Sequence, residues 1–213
     1  MPKPKKAKKD KNKKNEQRPG SGFVAHGADD LPSVILKSYN LEIKDEEGFI
    51  GDRASGRAFR AVLDEARAQI SEVTEDPLGK KRTKDISKKQ LDKILTNGDS
   101  VGAGVIHGAI EEFSKQLAGV IRRYLRLKTW RDTERIVVGG GIRQSRVGEL
   151  IIGRAAVILK SERVKIDVLP IRANPDEAGL LGCAHLAPAW LYQGFGALLA
   201  VDIGGANIRT GIV

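Results

Sequence analysis

Between Gly108 and Lys128 the apolar residues Ile110, Phe113, Leu117, Val120, Ile121 and Tyr124 recur at steps of three and four. Glu112, Lys115, Arg122, Arg123 and Arg126 occupy the opposite side, so the segment predicts an amphipathic helix with one stripe in a core. That stripe, with Phe113 and Leu117 at its centre, is expected to face the strand containing Val137. A four-residue step of Ala58, Val62, Ala66 and Ile70 predicts another helix over Arg57–Val73, ended by Pro77-Leu78-Gly79. Asp85-Ile86-Ser87 introduces a short helix with Leu91, Ile94 and Leu95 on one side, closing near Asn97-Gly98.

Strand signals are shorter. Ser33–Ile43 alternates loosely, Arg135–Val138 is an apolar run, and Arg163–Leu169 alternates through Val164, Ile166 and Val168. A helix through Lys160 fits between the last two. Asn174 reads as a helix cap, with Pro175 at the first helical position and Asp176 and Glu177 in the first turn. That helix runs through Leu180, Leu181 and Ala184 to Pro188. After a connector at Trp190–Gly196, the apolar run Ala197–Val201 leads to Asp202, a glycine pair and a second short apolar run. This predicts an antiparallel hairpin. Strands alternating with helices imply an α/β layer. Gly48–Gly56 reads as turn.

Charge divides the chain further. Residues 1–18 hold nine Lys/Arg against Asp10 and Glu16, a net of +7 out of +10 for all 213 residues. With almost nothing to bury, this stretch is expected to be a solvated basic tail, either solubilising or attracting polyanions weakly and salt-dependently. The expected organisation is a tail and linker over 1–32, an α/β region over 33–188, and a connector with the hairpin over 189–213. No apolar run approaches the roughly 20 residues needed to span a bilayer. No apolar stretch behind the lysines suggests a secretory signal, so no membrane partner and a cytoplasmic location are expected. The single cysteine, Cys183, excludes an internal disulfide, and His26, His107 and His185 show no ligand spacing.

Two glycine motifs carry the candidate chemistry. Gly139, Gly140 and Gly141 sit between a strand and a helix, where bare backbone can lie against a planar ring or receive a phosphate near the helix start. The same residues serve equally as a tight turn without a ligand, and no dinucleotide fingerprint follows. In the hairpin, Gly204 and Gly205 leave backbone N–H groups able to face an anion. Asp202 at the end of the first strand can hold Mg²⁺ through water. An ordinary glycine hairpin is the plainer alternative.

Asp202, Ile203, Gly204, Gly205 and Asn207 resemble the first phosphate motif of the ROK family of sugar kinases and repressors, within the actin-like ATPase superfamily. Ala206 stands in place of the usual threonine. The order of Gly98-Asp99, a long helix, Ile136-Val137-Val138-Gly139-Gly140-Gly141 and Glu177-Ala178-Gly179-Leu180-Leu181-Gly182-Cys183-Ala184 is similar to the C-terminal lobe of the same family. Ser55-Gly56-Arg57-Ala58-Phe59 is a weaker match to the segment after the family's zinc loop. The resemblance covers about two thirds of the chain. It implies a partial actin-like ATPase (ribonuclease H-like) α/β fold, a C-terminal lobe followed by the first hairpin of the N-terminal lobe. It also implies ATP and Mg²⁺ as cofactors and a sugar as substrate.

On that resemblance Gly139, Gly140 and Gly141 lie near adenosine; Asp202, Gly204, Gly205 and Asn207 lie near the phosphates, Asp202 towards the metal. Cys183 replaces an alanine, which suggests a small buried thiol. The family's catalytic aspartate, its Glu-x-Gly-His sugar segment and its cysteine-rich zinc loop have no counterpart in 1–213. No catalytic residue is therefore assigned, and these residues alone are expected to be inactive. The C-lobe elements precede the N-lobe motif, which suits a permuted protein of which this is the first part, or joined remnants. A rival expectation is a non-catalytic ROK-like binding or regulatory protein with a polyanion-binding tail. Homo-oligomers are compatible with either.

Overall fold

The computed structural model describes residues 42–175, 177–187, 189–194, 196–203 and 208–213. The basic tail, the linker, all but the end of the strand expected at Ser33–Ile43, and Gly204, Gly205 and Asn207 lie outside the described residues. The described chain is mixed α/β with three two-stranded sheets.

A short antiparallel hairpin, β1 (Lys44–Asp45) and β2 (Gly48–Phe49), fills part of the expected turn and runs into a 3-10 turn at Ile50–Ala54. Helix α1 (Gly56–Ser71) starts where the Ser55 hydroxyl accepts the Ala58 N–H. It buries Phe59, Leu63 and Arg67, a stripe one residue along from the expected one. Ala58, Val62, Ala66 and Ile70 lie beside that stripe, partly buried. Both stripes have the same four-residue step; the larger Phe59 and Leu63 side chains take the inside.

Helix α2 (Lys88–Asn97) opens on a capping box between Ser87 and Gln90. Helix α3 (Ser100–Leu125) is longer than expected, starting eight residues earlier. Three glycines in its first turns hide its periodicity, yet Val105, Ile106 and Ala109 continue the buried stripe. Asp99 caps it, its Oδ1 accepting the N–H groups of Val101 (2.9 Å) and Gly102 (2.8 Å). The Gly102 N–H, then that of Val101, hold the Asp99 carboxyl below the usual aspartate range against the opposing effect of desolvation. A depressed folded pKa stabilises fully above the unfolded value of about 3.9 and is lost as pH falls through the folded value. Asp99→Asn keeps a capping oxygen but no charge. The stability difference between wild type and Asp99→Asn should therefore shrink at the acid end. A difference that stays constant down the acid limb would refute this.

The long helix packs on α1, α2 and α4 (Arg146–Ser161). Phe113 meets Phe59 edge-on at 5.6 Å between centroids, and the Ser114 hydroxyl donates to Ile110 O at 2.6 Å and also lies 3.2 Å from Ile151 O. The expected contact of Phe113 and Leu117 with Val137 is thus replaced by helix–helix packing. In β3 (Arg135–Val138) it is Ile136 and Val138 that pack on the core, while Val137 is 56% exposed.

Strand β4 (Asp167–Pro170) pairs parallel with β3, Ile136 opposite Val168, with α4 as the crossover. It starts later than the alternation suggested because Arg163 to Val164 still belong to the helix exit. Arg163 has φ 62°, its N–H donates to Lys160 O, and the Val164 N–H reaches Leu159 O, the two bonds of a Schellman ending.

Helix α5 (Ala178–Leu186) begins after a turn in which Asn174 O accepts the N–H groups of Glu177 and Ala178. It packs on the expected hairpin, β5 (Leu199–Ile203) and β6 (Ile208–Ile212), with Asp202 opposite Arg209. Leu180 is its buried residue. Cys183 is exposed, contrary to the buried thiol expected, because α5 is covered on the hairpin side only around Leu180. On the other hairpin face Leu199, Val201, Ile203, Ile208 and Ile212 are all exposed. Among the described residues no helix is long and apolar enough to cross a membrane.

Candidate functional site

The triple glycine stands where β3 ends and the chain turns towards α4. Gly140 has φ 78°, in the left-handed region that a side chain rarely adopts, and Gly141 begins a 3-10 turn to Gln144. The three glycines, with Phe59, Arg60 and Lys88, help to line a pocket of about 370 Å³. It lies at the carboxyl end of β3, the usual place for ligands on parallel strands. Apolar walls and bare backbone suit a flat ring, and two cations stand at the rim. Lys88 Nζ donates to Gly141 O at 2.6 Å, and Arg60 Nη1 donates to Thr83 O.

The start of α4 offers less to an anion. Arg146 and Val147 donate their N–H groups to the Asp92 carboxylate, each at 3.0 Å, and Gly148 donates to Ser145 Oγ at 3.1 Å. These leading N–H groups, normally the attraction for a phosphate, are already satisfied by protein oxygens. The turn is therefore less open to a phosphate at the helix start, which leaves a planar ring or a turn without a ligand.

Asp202 occupies a separate place. The glycine pocket takes its lining from residues between Ala54 and Val147, so Asp202 is outside it. Its carboxylate pairs loosely with Arg209 at 3.6 Å across the hairpin. It also lies against the first turn of α5: a Cβ at Gly179 would stand 2.5 Å from Asp202 Oδ2. The segment of α5 that holds Gly179 and the end of β5 that holds Asp202 therefore meet, Gly179 giving the carboxylate room beside the positive helix end. A single carboxylate can meet Mg²⁺ through water, but here it shares its Oδ2 with the Arg209 guanidinium. Among the described residues no group of three His, Cys, Asp or Glu side chains forms a metal cluster.

Sequence reasoning missed Lys88, Arg60 and Asp92. Lys88 and Asp92 come from α2, about 50 residues before the glycines, and only packing brings them together. Asp85-Ile86-Ser87 and the apolar side of Leu91, Ile94 and Leu95 placed α2 but carried no sign of its partner. Compared with models of protein families, with curated proteins and with solved structures, the chain matches none.

Proposed function

We propose that the chain is a ROK-type nucleotide-binding protein of the actin-like ATPase class, receiving the adenosine of ATP on the Gly139–Gly141 turn. The observation that supports this most is the pocket at the carboxyl end of β3, floored by those glycines and walled by Phe59. The meeting of Asp202 with Gly179 supports it independently, because both belong to the motifs of the resemblance. The uncovered aliphatic face of β5–β6 suits a hairpin on which another layer packs.

Bound Mg²⁺ would shield the phosphate charges for phosphoryl transfer to a sugar hydroxyl, the reaction of the family. This chain's own residues bind and orient: Gly139, Gly140 and Gly141 at adenosine, with Asp202, Gly204, Gly205 and Asn207 towards the phosphates and Asp202 towards the metal. No side chain is assigned as the base at the sugar oxygen, so hexose phosphorylation by residues 1–213 is expected to be undetectable in a coupled assay.

Gly141 is the position at which to test the pocket. A side chain at Gly140 would strain the backbone, whereas a Cβ at Gly141 meets only the flexible end of Lys88, at 2.7 Å. In calorimetric titration with adenosine and with an ATP analogue plus Mg²⁺, wild type is expected to bind weakly, on the order of millimolar. Gly141→Val should weaken both ligands about tenfold with unchanged melting. Equal binding by both proteins would refute the adenosine assignment.

A further inference from the structure

A shallow, open groove of about 630 Å³ shares Ser145 with the glycine pocket and lies between the 3-10 turn at Gly141–Gln144 and the loop after β4. Three arginines line it: Arg143, Arg146 and Arg172. Its two carboxylates are already engaged. Asp92 accepts the first N–H groups of α4, and Glu149 pairs with Arg146 at 3.1 Å. Arg143 and Arg172 have no acidic partner among the described residues.

Arg143 is poorly satisfied for a partly buried guanidinium. Its Nε is shut off from solvent without a hydrogen-bond partner, and its Nη2 has only a long contact, 3.5 Å, to Arg172 O. A guanidinium carries five donors in a planar fork and cannot shed its charge, so leaving it this poorly matched is costly. The same 3.5 Å contact ties Arg143 to the backbone that carries Arg172. Gln144 Nε2 donates to Asn174 Oδ1 at 2.7 Å, clamping the two loops on which the arginines stand. The two loops are thus tied together, and the two cations they carry have no acidic partner among the described residues. Nothing in the sequence pattern singled out these residues, which stand 29 positions apart.

We propose that Arg143 and Arg172 form an anion site for a phosphate group, with Arg146 at its edge. Phosphate is the chemistry that two guanidinium forks match best, through paired charge-assisted hydrogen bonds. The phosphate can belong to a nucleotide whose base sits in the neighbouring glycine pocket, or to a separate phosphorylated small molecule. The site itself does not rest on the nucleotide reading.

The test is titration of the full chain with inorganic phosphate and with AMP, followed by calorimetry and by the arginine side-chain NMR signals. Arg172 is exposed, so Arg172→Gln removes one fork without disturbing the core; Arg143→Gln is the companion variant. Wild type is expected to bind inorganic phosphate with a shift of the Arg143 Nε–H signal, and Arg172→Gln to bind it roughly tenfold more weakly. The basic tail is present in every protein compared, so its own binding cancels. AMP binding tighter than phosphate, with the gain lost in Gly141→Val, assigns the groove to the phosphate end of a nucleotide site. AMP no tighter than phosphate assigns it to a separate phosphorylated ligand and leaves the anion site standing. Phosphate binding equal in wild type and Arg172→Gln, or absent up to about 10 mM, overturns the proposal.

Discussion

Arg67→Met is expected to cost about 3–5 kcal/mol of folding stability, the range for removing one partner of a buried ion pair. Arg67 lies on the inner side of α1 and is only 7% exposed. Its Nε donates to Asp76 Oδ2 at 3.0 Å and its Nη2 to the same oxygen at 2.6 Å. Nη2 also reaches Gly79 O at 2.9 Å and Lys81 O at 2.7 Å, while Nη1 donates to Thr83 Oγ1 at 2.6 Å. One side chain therefore gathers most of the loop between α1 and α2. Methionine fills a similar volume but leaves Asp76 with only the Leu78 N–H and the buried Thr83 hydroxyl without its donor, and those losses dominate. Arg67→Lys should recover only part of the loss, because an ammonium cannot span the same acceptors. Since domains are stable by only about 5–15 kcal/mol, denaturant unfolding should detect the change easily. Limited proteolysis should show cleavage moving into residues 72–85. A loss under about 1 kcal/mol for Arg67→Met would mean that the loop is held by other contacts.

That network also shows where sequence pattern stops being informative. Helix α1 was legible as a helix, since a four-residue step is present on either reading. The stripe was misplaced by one residue because an arginine in the third position argues against burial. Arg67 can be buried only because Asp76, Gly79, Lys81 and Thr83 meet it, and their meeting depends on how the loop folds. Caps were written locally yet went unread. The Ser87–Gln90 box and the Asp99 side chain each use bonds within four residues, but neither was named, while Asn174, which was, gives only its backbone O to Glu177 and Ala178 ahead of a helix that starts at Ala178. Arg163 was the opposite case, a left-handed helix ending without the usual glycine, and the alternation of Val164 and Ile166 read through it.

The candidate site divides in the same way. The glycine turn after β3 and the hairpin strands carrying Asp202 were visible, because glycines and apolar runs speak about their own backbone. The side chains that give the turn its pocket were not, since Lys88 lies 53 positions before the carbonyl it bonds. Asp92 matters most in this respect. Placing a carboxylate on the first N–H groups of α4 changes what the turn can receive, and nothing between Gly139 and Gly148 announces it. The meeting of Gly179 with Asp202 is likewise a product of α5 packing on the hairpin.

Leu117→Asp is expected to abolish soluble folding, whereas Lys115→Asp, two residues away, should change stability by about 1 kcal/mol or less. Leu117 is 8% exposed and belongs to the cluster that joins α3 to its neighbouring helices. Removing its side chain forfeits about 2 kcal/mol of apolar burial. Desolvating a carboxylate there adds several more, because the α3 backbone donors are already spent within the helix. Ser114 shows the condition for a polar group in this core: its hydroxyl is fully buried but donates to Ile110 O. An aspartate at 117 has no such outlet and can only stay neutral or open the helix contact. Lys115 points outwards, 56% exposed, and its loose pair with Glu112 at 3.7 Å contributes little. Soluble yield followed by thermal melting separates the cases. If Leu117→Asp melts within a few degrees of Lys115→Asp, the helix is turned differently and its stripe does not face α1, α2 and α4.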